Sequence, residues 1–154
     1  MSTDLQSILD ERIDADQLEI FRNQYEIQVQ RGHPSAAAVF AYAHALCKSK
    51  STNVKTGVLL LEELLRSDHI EIPARDIVYF IALGRARLND YDRALAALNP
   101  LIEQEPENRQ ATNLKRAIEA KMHKNAIIGA AVIGGGLAVV GGLIVAAFIS
   151  RGHQ

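Results

Sequence analysis

His44 and Cys47 stand three residues apart, a spacing that sets two metal-ligating side chains on one face of a helix. Structural zinc takes four ligands, however, and this chain has a single cysteine with its five histidines scattered. The pair therefore makes no metal site. Glu62 and Glu63 are the next candidates, but adjacent residues on a helix point in different directions and cannot share one substrate as acid and base. No glycine-rich phosphate loop follows a strand, and no nucleophile sits beside a base, so neither an enzyme nor a cofactor is expected. What remains is recognition chemistry, centred on Tyr42 and Tyr79. Tyrosine offers a large contact area with a polar tip and loses little entropy when fixed, which suits protein interfaces.

The elements that must position these residues are helices. In residues 1–125 apolar side chains recur at threes and fours, and the alternating runs and Asn-Gly or Asp-Gly turns of a sheet protein are absent. The spacing predicts an all-α, six-helix bundle. Leu18, Phe21, Tyr25 and Val29 stripe the first helix, which ends near Gly32; a second runs from Ser35 to Lys50 and a third from Asn53 to Arg66. Pro73 opens a fourth that reaches about Asn89, Asp90 or Tyr91 begins the fifth, and the sixth follows Pro106 and Asn108. Pro100 lies inside the fifth helix, where a lost hydrogen bond and a clash with the carbonyl of Ala96 predict a kink or early fraying.

The chain matches itself at an offset of 37 residues. Tyr42 falls on Tyr79, Ala45 and Leu46 on Ala82 and Leu83, Lys48 on Arg85, Lys50 on Arg87, Gly57 on Ala94, Leu61 on Leu98 and Leu64 on Leu101. Two tandem helical hairpins follow, and the second resembles a tetratricopeptide unit, with Ala82 at the small position, Tyr91 and Ala94 opening its second helix and Pro106 closing it. Two such units cannot cover both of their own ends, so the flanking helices are read as caps. The first helix of each unit lines a concave face. On the repeat register Val39, Tyr42, Leu46 and Lys50 project there from one unit and Asp76, Tyr79, Leu83 and Arg87 from the other. The competing expectation is that the first helix or the N-terminal segment covers both tyrosines as core.

Two terminal segments complete the organisation. Leu5, Ile8 and Leu9 form an apolar cluster ahead of an acidic, irregular stretch, and residues 1–12 are read as an arm that competes with partners for the concave face. From Ala126 to Ile149 no charged, polar or proline side chain occurs, and 24 helical residues reach about 36 Å. Residues 126–150 are therefore expected to be a transmembrane tail anchor and 151–154 a short tail, with residues 1–125 in the cytosol. Lys115, Arg116, Lys121 and Lys124 precede the span and Arg151 follows it, which agrees with that orientation. Small residues recur along the span at Ala126, Gly134, Ala138 and Gly142, a ridge suited to a homo-oligomeric seam. One cysteine excludes a disulfide framework, and 16 basic against 18 acidic residues in 1–125 give no basic surface for nucleic acid.

In this setting the chain resembles the mitochondrial fission protein family, tail-anchored adaptors with two tetratricopeptide-like repeats. The resemblance is carried by Phe40 to Ala43 and Leu46 to Lys50, by Gly57 with Leu59 to Leu65, and by Arg75, Asp76, Tyr79, Ala82, Gly84 and Leu88. It continues through Tyr91, Ala94, Leu95, Glu105, Pro106, Asn108, Gln110, Ala111 and the glycine-rich segment. His44 departs from it, standing where relatives tend to carry a bulky aromatic, and so does the single arginine of the tail. The resemblance implies a location on mitochondrial and peroxisomal outer membranes, a dynamin-related GTPase or its adaptors as partners, and membrane fission as the outcome. Alternatives are an adaptor for mitochondrial turnover, or a tail-anchored co-chaperone or import receptor. The latter needs a cationic clamp, for which only Lys50 and Arg87 qualify.

Overall fold

The computed structural model describes residues 2–68 and 71–129. Seven helices occur among them: α1 (Ser2–Asp10), α2 (Ala15–Arg31), α3 (Ala36–Cys47), α4 (Ser51–Arg66), α5 (Ala74–Arg87), α6 (Tyr91–Gln104) and α7 (Arg109–Gly129). No strand is present among the described residues. The all-α expectation holds, while the helix count rises from six to seven. The added helix is α1, because Leu5, Ile8 and Leu9 follow the i, i+3, i+4 spacing of one helical face and that face has a place to pack.

Local chemistry explains the boundaries. Gly32 ends α2 at a φ of 136°, a region that side chains resist, and its N–H donates to the Val29 carbonyl. Ser35 caps α3 by accepting from the Ala38 N–H at 3.2 Å. Asn89 takes a φ of 62° in the tight turn between α5 and α6, the left-handed conformation that asparagine tolerates better than most residues. Asn108 opens α7 by accepting from the Ala111 N–H at 3.0 Å. The fraying expected at Pro100 does not occur: α6 runs on to Gln104, held by the fully buried Leu98 and Leu101 on either side of the proline.

From α2 to α7 each helix packs on the next in sequence, and further contacts join α3 to α5, α5 to α7, and α1 to both α5 and α7. α3 with α4 and α5 with α6 are the two repeated hairpins. Gly57 of α4 lies where α3 crosses, so close that a methyl group there would stand 2.8 Å from the Ala43 carbonyl oxygen and 2.9 Å from the Leu46 Cβ. Ala94, its counterpart in the second hairpin, is fully buried. The main core gathers side chains of α3 to α7 with Leu9 of α1, while a smaller cluster of Leu18, Ala45 and Leu46 joins α2 to α3. Among the described residues no helix is long and apolar enough to cross a membrane. The anchor read from residues 126–150, with Gly134, Ala138, Gly142 and Ile149, lies beyond the described residues except for the first four positions, Ala126 to Gly129, over which α7 continues.

Candidate protein-binding face

α3 and α5 lie side by side, and a strip of rings runs along the surface they share. Phe40 and Phe80 meet edge to face with centroids 5.7 Å apart. His44 sits against Phe80 at 5.0 Å, against Phe40 at 6.2 Å and against Phe21 of α2 at 6.0 Å. All four are half-buried, so the strip is held by packing yet presents ring surface to solvent. Tyr79 adds an edge contact to Phe80 at 5.1 Å.

The sequence-derived groove residues divide among several places. Tyr42 stacks on Tyr25 at 5.0 Å and is covered by α2. Val39 lines a separate cleft with Tyr25, Val29 and Leu60. Leu46 and Leu83 are interior, at 1% and 2% exposure. Lys50 is exposed at the start of α4, and Asp76 lines a polar cleft beside Glu105 and Gln110. The structure brings together Tyr79, Leu83 and Arg87 on α5, and it does not bring them to Val39 or Tyr42.

The segment that ends α1 closes over those three α5 residues. Leu9 is buried in the same core as Tyr79 and Leu83, with Leu5 and Ile8 packed at its edge. Arg87 donates to the carbonyl of Glu11 at 2.9 Å and to that of Ser49 at 3.2 Å, and Arg12 donates to the Ser49 carbonyl at 2.5 Å. The Ile13 N–H donates to the Lys48 carbonyl at 3.0 Å, and Lys48 pairs with Glu11 at 3.2 Å. Residues 11–13 are thereby stitched across the ends of α3 and α5, while α1 itself rests on α7, where Lys121 pairs with Asp10 at 3.6 Å. Burial, followed by the Glu11 carboxylate, pushes the Tyr79 phenol above its ordinary range. Burial and the neighbouring Arg12 pull the Arg87 guanidinium down, though it stays charged at neutral pH. With its donors committed to backbone carbonyls, Arg87 is poorly placed to clamp an acidic peptide terminus.

His44 and Cys47 diverge. His44 faces the ring strip, whereas Cys47 is fully buried beside Gly57 of α4 and Gly84 of α5, where burial pushes its thiol up to about 12. Among the described residues no group of three histidine, cysteine or acidic side chains is arranged to hold a metal ion.

Comparison with known proteins identifies this arrangement. Residues 38–68 match the Fis1 N-terminal tetratricopeptide repeat and residues 75–127 the Fis1 C-terminal tetratricopeptide repeat. The chain belongs to the Fis1 family. It is 42% identical over 149 residues to the FIS1-related protein fis-2 of Caenorhabditis elegans, covering 96% of this chain and 99% of that one. It is 35% identical over 144 residues to the human mitochondrial fission 1 protein, covering 91% and 94%. Among solved structures it is similar to Fis1 from Saccharomyces cerevisiae, with a TM-score of 0.66, 28% identity and coverage of 78% and 92%. A second similar structure is yeast Fis1 in complex with an Mdv1 fragment containing N-terminal extension and coiled-coil domains, with a TM-score of 0.66, 29% identity and coverage of 77% and 91%. A Fis1-family chain is a tetratricopeptide-like adaptor and not an enzyme.

The sequence reading passed over Phe21 and Phe80 as face residues, and took His44 as a failed metal ligand and as a departure from the bulky aromatic of relatives, without placing it on a binding face. The signal was present in the i, i+4 spacing of Phe40 and His44, and in Phe80 beside Tyr79. One residue is a turn of about 100° on a helix, so a register set on Tyr79 points away from the side that Phe80 occupies.

Proposed function

We propose that this chain is an adaptor on the mitochondrial outer membrane that recruits the fission machinery, a dynamin-related GTPase or the adaptors that bring it, through the face between α3 and α5. The observation that carries this reading is the half-exposed strip of Phe40, His44 and Phe80, which interior packing alone leaves open to solvent. Family membership supports it, since relatives bear the name mitochondrial fission 1 protein and yeast Fis1 was solved with a fragment of Mdv1 bound. Tyr79 borders the strip through Phe80, and the segment of residues 11–13 closes over Arg87 two turns further along α5, so a partner that reaches Tyr79 displaces the arm. The apolar run from Ala126 anchors the domain, with residues 1–125 in the cytosol; peroxisomal membranes and an anchor-mediated homo-oligomer belong to the same reading.

The test compares the full chain with Phe80→Glu in cells lacking the endogenous protein. Wild type is expected to co-purify the dynamin-related GTPase or its adaptors and to restore mitochondrial division, and Phe80→Glu to lose both while remaining on mitochondria. Normal recruitment by a folded Phe80→Glu protein overturns the face. A chain ending at Asn125 that still reaches mitochondria overturns the anchor.

A further inference from the structure

The aromatic strip is interrupted by one polar atom whose chemistry the structure fixes. His44 Nδ1 lies 3.1 Å from the carbonyl oxygen of Ala41. A carbonyl only accepts, so the proton of the neutral ring is on Nδ1, and Nε2 carries the lone pair. Nε2 has no hydrogen-bond partner among the described residues. Around the ring stand Phe21 of α2, Phe40 of its own helix and Phe80 of α5, three groups that can neither donate nor accept a conventional hydrogen bond. The face is thus an aromatic wall with a single acceptor set into it.

We propose that His44 is a specificity element of the recruitment face, accepting at Nε2 a hydrogen bond from an uncharged aromatic donor, a tyrosine hydroxyl or tryptophan indole N–H, on an apolar segment of the partner. This rests on the reading of the α3–α5 strip as the partner-binding face. An anionic side chain has only acceptors to offer Nε2. A cationic donor would lose hydration among the three rings, and the Glu11 carboxylate that could compensate it is already paired with Lys48. A neutral donor avoids both penalties, and a ring that carries one also stacks on Phe40 and Phe80. An aliphatic or phenylalanine side chain in the same place leaves Nε2 desolvated and unpaired, so the site discriminates more by rejection than by added attraction. Where a bulky aromatic replaces His44, the acceptor and this selectivity vanish together. The neutral ring is the binding form. Burial holds it neutral, Lys48 acts in the same direction, the Ala41 carbonyl and Glu11 act in the opposite one, and Phe21 and Phe80 present no charge to it.

The experiment uses the full chain in mild detergent, with N-acetyl-tyrosinamide and its O-methyl ether as probes. The two differ by the one donor. Binding is read from the side-chain nitrogen resonances of His44 and the ring protons of Phe40 and Phe80. Both probes are expected to move the phenylalanine rings, but only the phenol to move Nε2, with an affinity threefold to tenfold above the ether, the equivalent of one net hydrogen bond. His44→Phe should bind both probes equally, and lowering the pH until His44 charges should equalise them in the wild type. Equal affinities in wild type at neutral pH overturn the inference while leaving the recruitment face standing. If neither probe moves Phe40 or Phe80, the face itself is wrong and the inference falls with it. Should His44→Phe fail to fold, the two-probe comparison on wild type still decides.

Discussion

Tyr42 and Tyr79 hold the same place in the 37-residue register, yet one is stacked against Tyr25 under α2 and the other is buried beside Leu9 and Glu11. The same divergence separates Lys48, paired at the surface with Glu11, from Arg85, which bridges Glu62 at 2.5 Å and Asp90 at 3.5 Å. By contrast Gly57 and Ala94 are both small and buried at the same place in the two hairpins, Gly57 where α3 crosses closely. A repeated sequence therefore repeats what happens inside a unit. What each unit shows to the outside depends on its flanking neighbour, α2 for the first and α1 with α7 for the second.

The hardest test of that distinction lies at the crossing. A leucine at Gly57 meets the Ala43 carbonyl, backbone that cannot rotate away, so Gly57→Leu should cost at least the upper end of the roughly 1–3 kcal/mol typical of overpacking, and Ala94→Leu a cost within that range. Urea unfolding measures both. Unchanged midpoints would mean that neither crossing is tight and that the repeat register has no packing basis.

The ion pairs give the next largest effect and separate the two units. Glu62 and Arg85 are only 18% and 17% exposed, so Glu62→Gln leaves a largely desolvated guanidinium short of its counter-charge and should cost on the order of 2 kcal/mol. Glu11 is 61% exposed in its pair with Lys48, and Glu11→Gln should cost less than about 1 kcal/mol. Comparable losses for the two would show that burial does not distinguish these register-related sites.

Much of the fold was legible because its determinants are side chains with local meaning. Gly32, Ser35, Pro73 and Asn108 mark helix ends, and Gly57 with Ala94 marks the crossings. The bonds that hold residues 11–13 over α5 were not legible, for they run from Arg87 and Arg12 to the carbonyls of Glu11 and Ser49, and from the Ile13 N–H to that of Lys48. Every residue owns such backbone groups, so nothing in the sequence singles these out. Nor does the first stripe reveal that Tyr25 reaches Tyr42, since helix periodicity gives the direction of a face and not its partner. Pro100 does not end α6 early, because the buried leucines flanking it outweigh the local cost of the lost hydrogen bond.

That closure supplies a third test. Removing residues 1–12 uncovers the Tyr79 and Leu83 side of α5 and releases Arg87, leaving Tyr42 and α2 in place. If the arm competes for the face, the deletion should raise the affinity of the full-length anchored chain for its fission partner by a few-fold to tens of fold, about 1.4 kcal/mol of lost competition being tenfold. Tyr79→Ala should weaken the same binding and Tyr42→Ala leave it near wild type. A deletion that stays folded yet binds more weakly would make the arm part of the docking surface.

The smallest effect concerns His44, whose pH dependence reports how dry the open strip is on the α3 side. Burial lowers its folded-state value below that of the unfolded chain, with Lys48 adding to the shift. The unfolded state then binds the proton more readily, so stability rises with pH through the window between the lowered folded value and the ordinary histidine value of about 6.5, and is flat above it. Acidification through that window should destabilise the wild type more than His44→Phe, which has nothing to protonate there. Subtracting the two unfolding curves between pH 8 and pH 5 isolates the contribution of this one ring from those of the exposed His33 and His123. A difference that is constant across the range would mean that the ring is as well solvated folded as unfolded, and the strip would then be too wet for a single acceptor to select a partner.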